Sequence, residues 1–215
     1  FDNNGKIAVN SKETLEALKF LLSLDKEGLL APGVASMTGS DLLQMLYSNK
    51  LGGWSGNKGN LSNLEQAVKD GTIEGPAKIK LYPYPTKPGI SPTTAIGPTG
   101  MIMMTKDPAK QKATAAFMEY SVQPKWHSAA VKAAGQLPAT KSVADMNIYK
   151  GDELGEVMQN IVAKYPAGNF GLSDPNYNKI RKELAAQLQA MFAGLKTPEQ
   201  ALADLDANLK KIVGQ

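Results

Sequence analysis

The chain has 215 residues, 42% hydrophobic and 20% charged, with 20 Gly and 13 Pro; those proportions exclude a disordered, collagen-like or coiled-coil chain. It carries no Cys and one His, His127, which excludes disulfides, thiolate nucleophiles, iron–sulfur clusters, thiolate zinc and His-pair metal sites. The net charge is only +4, with dispersed lysines, so there is no basic stripe for nucleic acid, and no run approaches the ~20 apolar residues of a membrane span.

The opening at Phe1 has neither an initiator Met nor a signal-peptide pattern, as expected of a processed or truncated product. Asn10 and Glu13 fit a capping box, with Ser11 a rival cap, and Leu15, Leu18, Phe20, Leu21 and Leu22 give a helical apolar face that stops at Gly28. A second helix is expected over 40–47, a short strand over 51–54, and a third helix over 62–70. The polar run Ser55-Gly56-Asn57-Lys58-Gly59-Asn60 lies between the last two.

Residues 78–82 alternate like a strand, and Tyr82-Pro83-Tyr84-Pro85 forces an extended path. Residues 101–104 are an apolar strand candidate. Asp107-Pro108 supplies a cap and a first-turn Pro, with Phe117 and Met118 expected on the core face of the helix that follows. Helices are expected over 124–134, ended by Gly135, and over 152–164. Asp174-Pro175 opens a long helix with Ile180, Leu184, Leu188 and Phe192 spaced for burial. Thr197-Pro198-Glu199-Gln200 combines cap, first-turn Pro and capping-box Gln for the last one. Mostly helix with a few short strands is an α/β pattern rather than a bundle.

Little here supports catalysis. His127 beside Trp126 reads as a general base or as a packing imidazole, and no neighbouring Ser, Cys or carboxylate motif favours the base. Lys58 precedes the second glycine of its run, which does not match a phosphate loop. The 55–60 run is either a plain turn or a ligand loop. In the second case Trp54 offers a stacking face, Lys58 a charge, and Asn57 and Asn60 amide forks, a mixture suited to a hydroxylated ligand.

Several segments together resemble a known family. Phe1-Asp2-x-x-Gly5-Lys6, Asn10-Ser11 with the helix to Gly28, the loop at Lys58, and Ile96-Gly97-x-x-Gly100 are part of the pattern. So are Ala116-Phe117-Met118-Glu119-Tyr120, Gly135-x-Leu137-Pro138-Ala139-x-Lys141-Ser142-Val143, and 194–201 with Thr197-Pro198-Glu199. In order and spacing they resemble the C-terminal half of bacterial extracellular solute-binding proteins, the maltose-binding-like receptors of ABC importers.

The resemblance implies an α/β, helix-rich C-terminal lobe of a two-lobed periplasmic-binding-protein-like fold. Residues 1–72 and 144–215 would form that lobe, and 73–143 would cross into the N-terminal lobe of a longer parent. It implies a periplasmic or extracellular protein, lipid-anchored or not, that binds a sugar or polyol without chemistry, needs no cofactor or metal, and delivers solute to an ABC permease in the membrane. A glycerol-phosphate-type receptor and an enzyme such as a glycosidase are the alternatives. Tyr177-x-x-x-Arg181 resembles the family's sugar-facing aromatic-and-Arg pair, one helical turn apart, and Arg181 is the only Arg in the chain. Asn57 or Lys58 stands where a Trp often stacks, a departure that leaves room for an anionic or smaller ligand. Trp54 either replaces that aromatic or belongs to the core, and Thr99 is placed like the Gly-rich edge that touches ligand. A lone lobe would expose apolar surface and self-associate.

Overall fold

The structure, a computed structural model, describes residues 1–215 except 3, 57, 72–79, 96, 98–99 and 169–173. Two compact units result: residues 1–42 with 170–215, and residues 43–169. The sequence places its divisions instead after 72 and after 143. The helix that begins at Lys58 stays with the second unit because its first turn is packed and ion-paired there, as described below.

In the first unit, α1 (Lys12–Lys26) is capped by Ser11, whose hydroxyl accepts from the Thr14 N–H at 3.1 Å. Ser11 is therefore the cap rather than Asn10. A short 3-10 turn, Val34–Ser36, follows a left-handed Gly33. Helix α2 (Gly39–Tyr47) spans the boundary between the units. After the Asp174-Pro175 turn, in which Asp174 accepts from the Asn176 N–H at 2.7 Å, α8 (Tyr177–Phe192) begins two residues later than the Pro suggests. Helix α9 (Pro198–Val213) has the expected capping box, with Thr197 and Gln200 bonding each other's backbone.

Two apolar clusters hold these helices together. Leu18, Met191, Ala201 and Leu202 form one, flanked by Leu15, Leu22, Leu188 and Phe192. Ile7, Leu205 and Leu209 form the other, flanked by Val9, Ile180, Ile212 and Val213. Leu184 and Phe20, expected on the apolar faces of α8 and α1, are exposed. Gln187 is buried instead: its amide donates to Glu183 and its oxygen accepts from Lys196, each at 2.7 Å. Burial of a polar side chain is tolerated there because both ends are paired.

The second unit contains α3 (Lys58–Lys69), α4 (Pro108–Ser121), α5 (Pro124–Ala133), α6 (Lys141–Ala144) and α7 (Glu153–Lys164). Its one described sheet pairs β1 (Thr94–Ala95) with β2 (Ala167–Gly168) in parallel, Thr94 opposite Ala167. Leu46, Leu61 and Leu64 form the core cluster, with Leu43, Tyr47, Leu51, Trp54, Leu81 and Leu154 packed around it.

Five expectations change here. Residues 51–54 make no strand ladder, nor do 80–82 or 101–104; residues 78–79 lie outside the described residues. The third helix starts at Lys58, so half of the polar run is its first turn. Phe117 is not on a core face but 62% exposed, and Met101, Ile102 and Met104 are exposed with it. Apolar spacing identified the stripe, but none of the described elements of this unit covers Phe117.

Candidate functional site

The two groups of expected site residues fall in different units, Tyr177 and Arg181 in the first and Trp54 and Lys58 in the second. Asn57 and Thr99 lie outside the described residues.

Tyr177 and Arg181 occupy the first turn of α8 and the start of the next. The Arg181 guanidinium carbon lies 5.8 Å from the Tyr177 ring centroid, within cation–π range. Arg181 is exposed and Tyr177 half-buried. The pair thus presents a planar cluster of N–H donors over an aromatic ring, on one helical face as the i, i+4 spacing requires.

Lys58 is placed differently from the loop expectation. It is 7% exposed, its ammonium lies 3.0 Å from the Asp152 carboxylate, and it sits 5.5 Å from the Tyr149 ring centroid. A cation in the first turn of a helix is disfavoured by the helix dipole, and Asp152 offsets it. Asp152 also caps α7, accepting from the Gly155 N–H at 2.9 Å. Burial alone would raise the Asp152 carboxyl, but the Gly155 N–H and the Lys58 ammonium outweigh it and hold the group below its ordinary value.

Tyr149 is fully buried, and its hydroxyl donates to the Gln136 carbonyl at 2.5 Å. Burial, then the charge of Asp152, pushes that phenol upward. Gly135, left-handed at φ 61°, lets the chain after α5 touch the backbone of α3: a Cβ there would lie 2.6 Å from the Gly59 nitrogen. Gly155 likewise leaves room for the Tyr149 ring. The start of α3 is therefore held by the turn after α5, by Tyr149 and by the cap of α7. Asp152 is legible in the sequence only as a helix cap, and Tyr149 carries no local signal at all.

Trp54 packs on the Leu46, Leu61 and Leu64 cluster. Its indole Nε1 is buried, lies against Gly56, and has no hydrogen-bond partner among the described residues. His127 Nε2 is in the same condition, and no carboxylate is bonded to it. Neighbouring Trp126 stacks on Tyr120 with centroids 5.3 Å apart and carries the Lys125 ammonium at 4.4 Å. No group of three or more acidic or His side chains among the described residues could hold a metal ion.

Residues 1–159 match the profile of the family described as bacterial extracellular solute-binding protein. The chain belongs to that family. A binding protein of Brucella abortus (strain 2308) is 23% identical over 98% of this chain and 50% of its own length. The sn-glycerol-3-phosphate-binding periplasmic protein of Pectobacterium atrosepticum is 25% identical over 74% of this chain and 36% of its own. Among solved structures, maltose-bound MalE3 of T. maritima matches 99% of this chain and 53% of its own, at 17% identity and TM-score 0.76. An ABC transporter solute-binding protein of Agrobacterium radiobacter K84, in complex with ribitol, matches 99% and 52%, at 21% identity and TM-score 0.76.

The solute-binding protein therefore has the helix-rich α/β fold of about half of a two-lobed periplasmic binding protein. It spans about half the length of the relatives it matches over nearly its whole extent. The family is extracellular or periplasmic, and no described helix is long and apolar enough to cross a membrane.

Proposed function

We propose that this chain is part of the substrate-binding component of an ABC-type importer, which captures a sugar or polyol without altering it and presents it to a membrane permease. The observation that carries the reading is the Tyr177–Arg181 pair, an exposed fork of donors 5.8 Å from an aromatic ring at the start of α8. Sugars need that combination, because their C–H faces pack on aromatic rings while each hydroxyl needs a partner. Maltose and ribitol in the two structural neighbours support the ligand class. His127, with no carboxylate bonded to it among the described residues, gives no support to the glycosidase alternative.

Arg181 and the Pectobacterium relative favour a second reading, a glycerol-phosphate-type receptor, since a guanidinium binds phosphate in two-point fashion. Trp54, Asn57, Lys58 and Thr99 complete the proposed set, with Lys58 acting through its ion pair with Asp152 and Trp54 from its place on the core cluster rather than as an exposed platform. The exposed apolar side chains of Met101, Ile102, Met104 and Phe117 support the assignment of 73–143 to a lobe completed by further chain. Calorimetric titration of the intact receptor with maltose, ribitol and sn-glycerol-3-phosphate tests the function, followed by chromatography of the solute. Binding with the solute recovered unchanged supports the reading. Turnover of any of them overturns it.

A further inference from the structure

By sequence, segment 81–85 joins the end of a strand candidate to an extended, Pro-rich path. In the structure its side chains alternate. Leu81 packs against the Leu46, Leu61 and Leu64 cluster and Pro83 is half-buried, while Tyr82 and Tyr84 point outward at 75% and 53% exposure. Two residues of extended chain separate the rings by roughly 6.4–6.8 Å along the backbone. Pro83 and Pro85 have no N–H to give a neighbouring strand, which keeps this segment out of the middle of a sheet. Each proline also restricts the tyrosine before it to extended conformations, so little order remains to be imposed when a ligand arrives.

The Tyr84 hydroxyl is hydrogen-bonded to the Ser55 hydroxyl, in the loop that the sequence marks as a ligand loop. Only one of the two can donate in that bond, so one O–H and several lone pairs remain for a third group. Trp54, the aromatic expected to serve as platform here, is instead packed on the core cluster with its Nε1 against Gly56.

We infer that Tyr82 and Tyr84, with Ser55, form the aromatic subsite of this unit, taking the C–H face of a sugar or cyclic polyol on the two rings and its hydroxyls on the Ser55–Tyr84 pair. The inference rests on the solute-binding reading and replaces Trp54 as its platform. The intact receptor is titrated by calorimetry with maltose, ribitol and a set of monosaccharides, and the tightest binder is carried to the variants. Tyr82→Ala and Tyr84→Ala are expected to weaken binding tenfold or more, with the folded state of each variant checked by its melting transition. Tyr84→Phe keeps the ring and is expected to lose two- to fivefold. Unchanged affinity in both alanine variants overturns the inference. If Arg181→Ala weakens binding in that case, solute binding stands without the tyrosine subsite. If no sugar or polyol binds the unmodified receptor, the solute reading and the subsite fall together.

Discussion

The Lys58 ammonium and the Asp152 carboxylate lie 3.0 Å apart, joining the first turn of α3 to the cap of α7 across 94 residues of sequence. The Lys58 side chain is 9% exposed and that of Asp152 27%, so the lysine depends on its partner more than the reverse. Removing one partner of a buried pair strands the other charge, which costs more than the pair's net contribution.

Asp152→Asn retains an oxygen able to cap α7 but removes the charge opposite Lys58. A loss of about 1–3 kcal/mol at neutral pH is expected from urea unfolding. The pH dependence has a definite sign. The folded carboxyl lies below its ordinary 3.8, so the stabilisation is complete above that value and is lost as pH falls through the folded pKa. The difference between the two proteins should be constant from about pH 5 to pH 8 and should close under more acid conditions. Lys132, whose charge also reaches Asp152, acts in the same direction. A gap that stays constant to low pH would show that the ion pair contributes nothing.

Gly135→Ala adds a Cβ 2.6 Å from the Gly59 nitrogen at φ 61°. Gly151 has φ 78° but nothing within 4 Å of such a Cβ. Gly151→Ala should therefore cost only the conformational penalty of about 1–2 kcal/mol, and Gly135→Ala a further 1–3 kcal/mol, roughly, for overpacking. Equal losses in denaturant unfolding would mean that the turn after α5 does not press on α3.

The 215-residue chain expressed by itself should self-associate. Ile102 and Met104 are 79% and 88% exposed, and Met101 and Phe117 are exposed as well; uncovered apolar surface drives association. Sedimentation velocity should show mass increasing with concentration, and Ile102→Lys with Met104→Lys should suppress the increase. A monomer at every concentration would refute this.

Helix ends were legible wherever a local cap defines them. Thr197 with Gln200, Asp107 with Pro108, and Asp152 each fix a helix start from within four residues. The start of α3 was not legible. Gly59 and Asn60 are loop formers by propensity, and they are helical because Asp152, Tyr149 and Gly135, 75 or more positions away, hold that turn. Phe117 shows the same limit in reverse: its helical spacing is that of a buried residue, yet it is exposed among the described residues of its unit. For the site, the Tyr177–Arg181 juxtaposition follows from i, i+4 spacing alone. The exposure of Tyr82 and Tyr84 and the packing of Trp54 depend on a cluster assembled from α2, α3 and α7, which no local pattern announces.

In the intact receptor, Arg181→Ala and Tyr177→Ala should each weaken solute binding about tenfold or more, the loss expected for one charge-assisted hydrogen bond or one ring contact. Melting temperatures should hold, since Arg181 is exposed and Tyr177 only half-buried. Unchanged affinities in both would remove α8 from the site.

Thermal shift of the intact receptor across sugars, polyols and sn-glycerol-3-phosphate tests solute capture most directly. A ligand at 100 times its dissociation constant stabilises the folded state by about 2.7 kcal/mol. At least one sugar or polyol should therefore raise the melting temperature in a saturable way and be recovered intact afterwards. No shift with any of them, or a shift accompanied by conversion of the solute, would contradict the account.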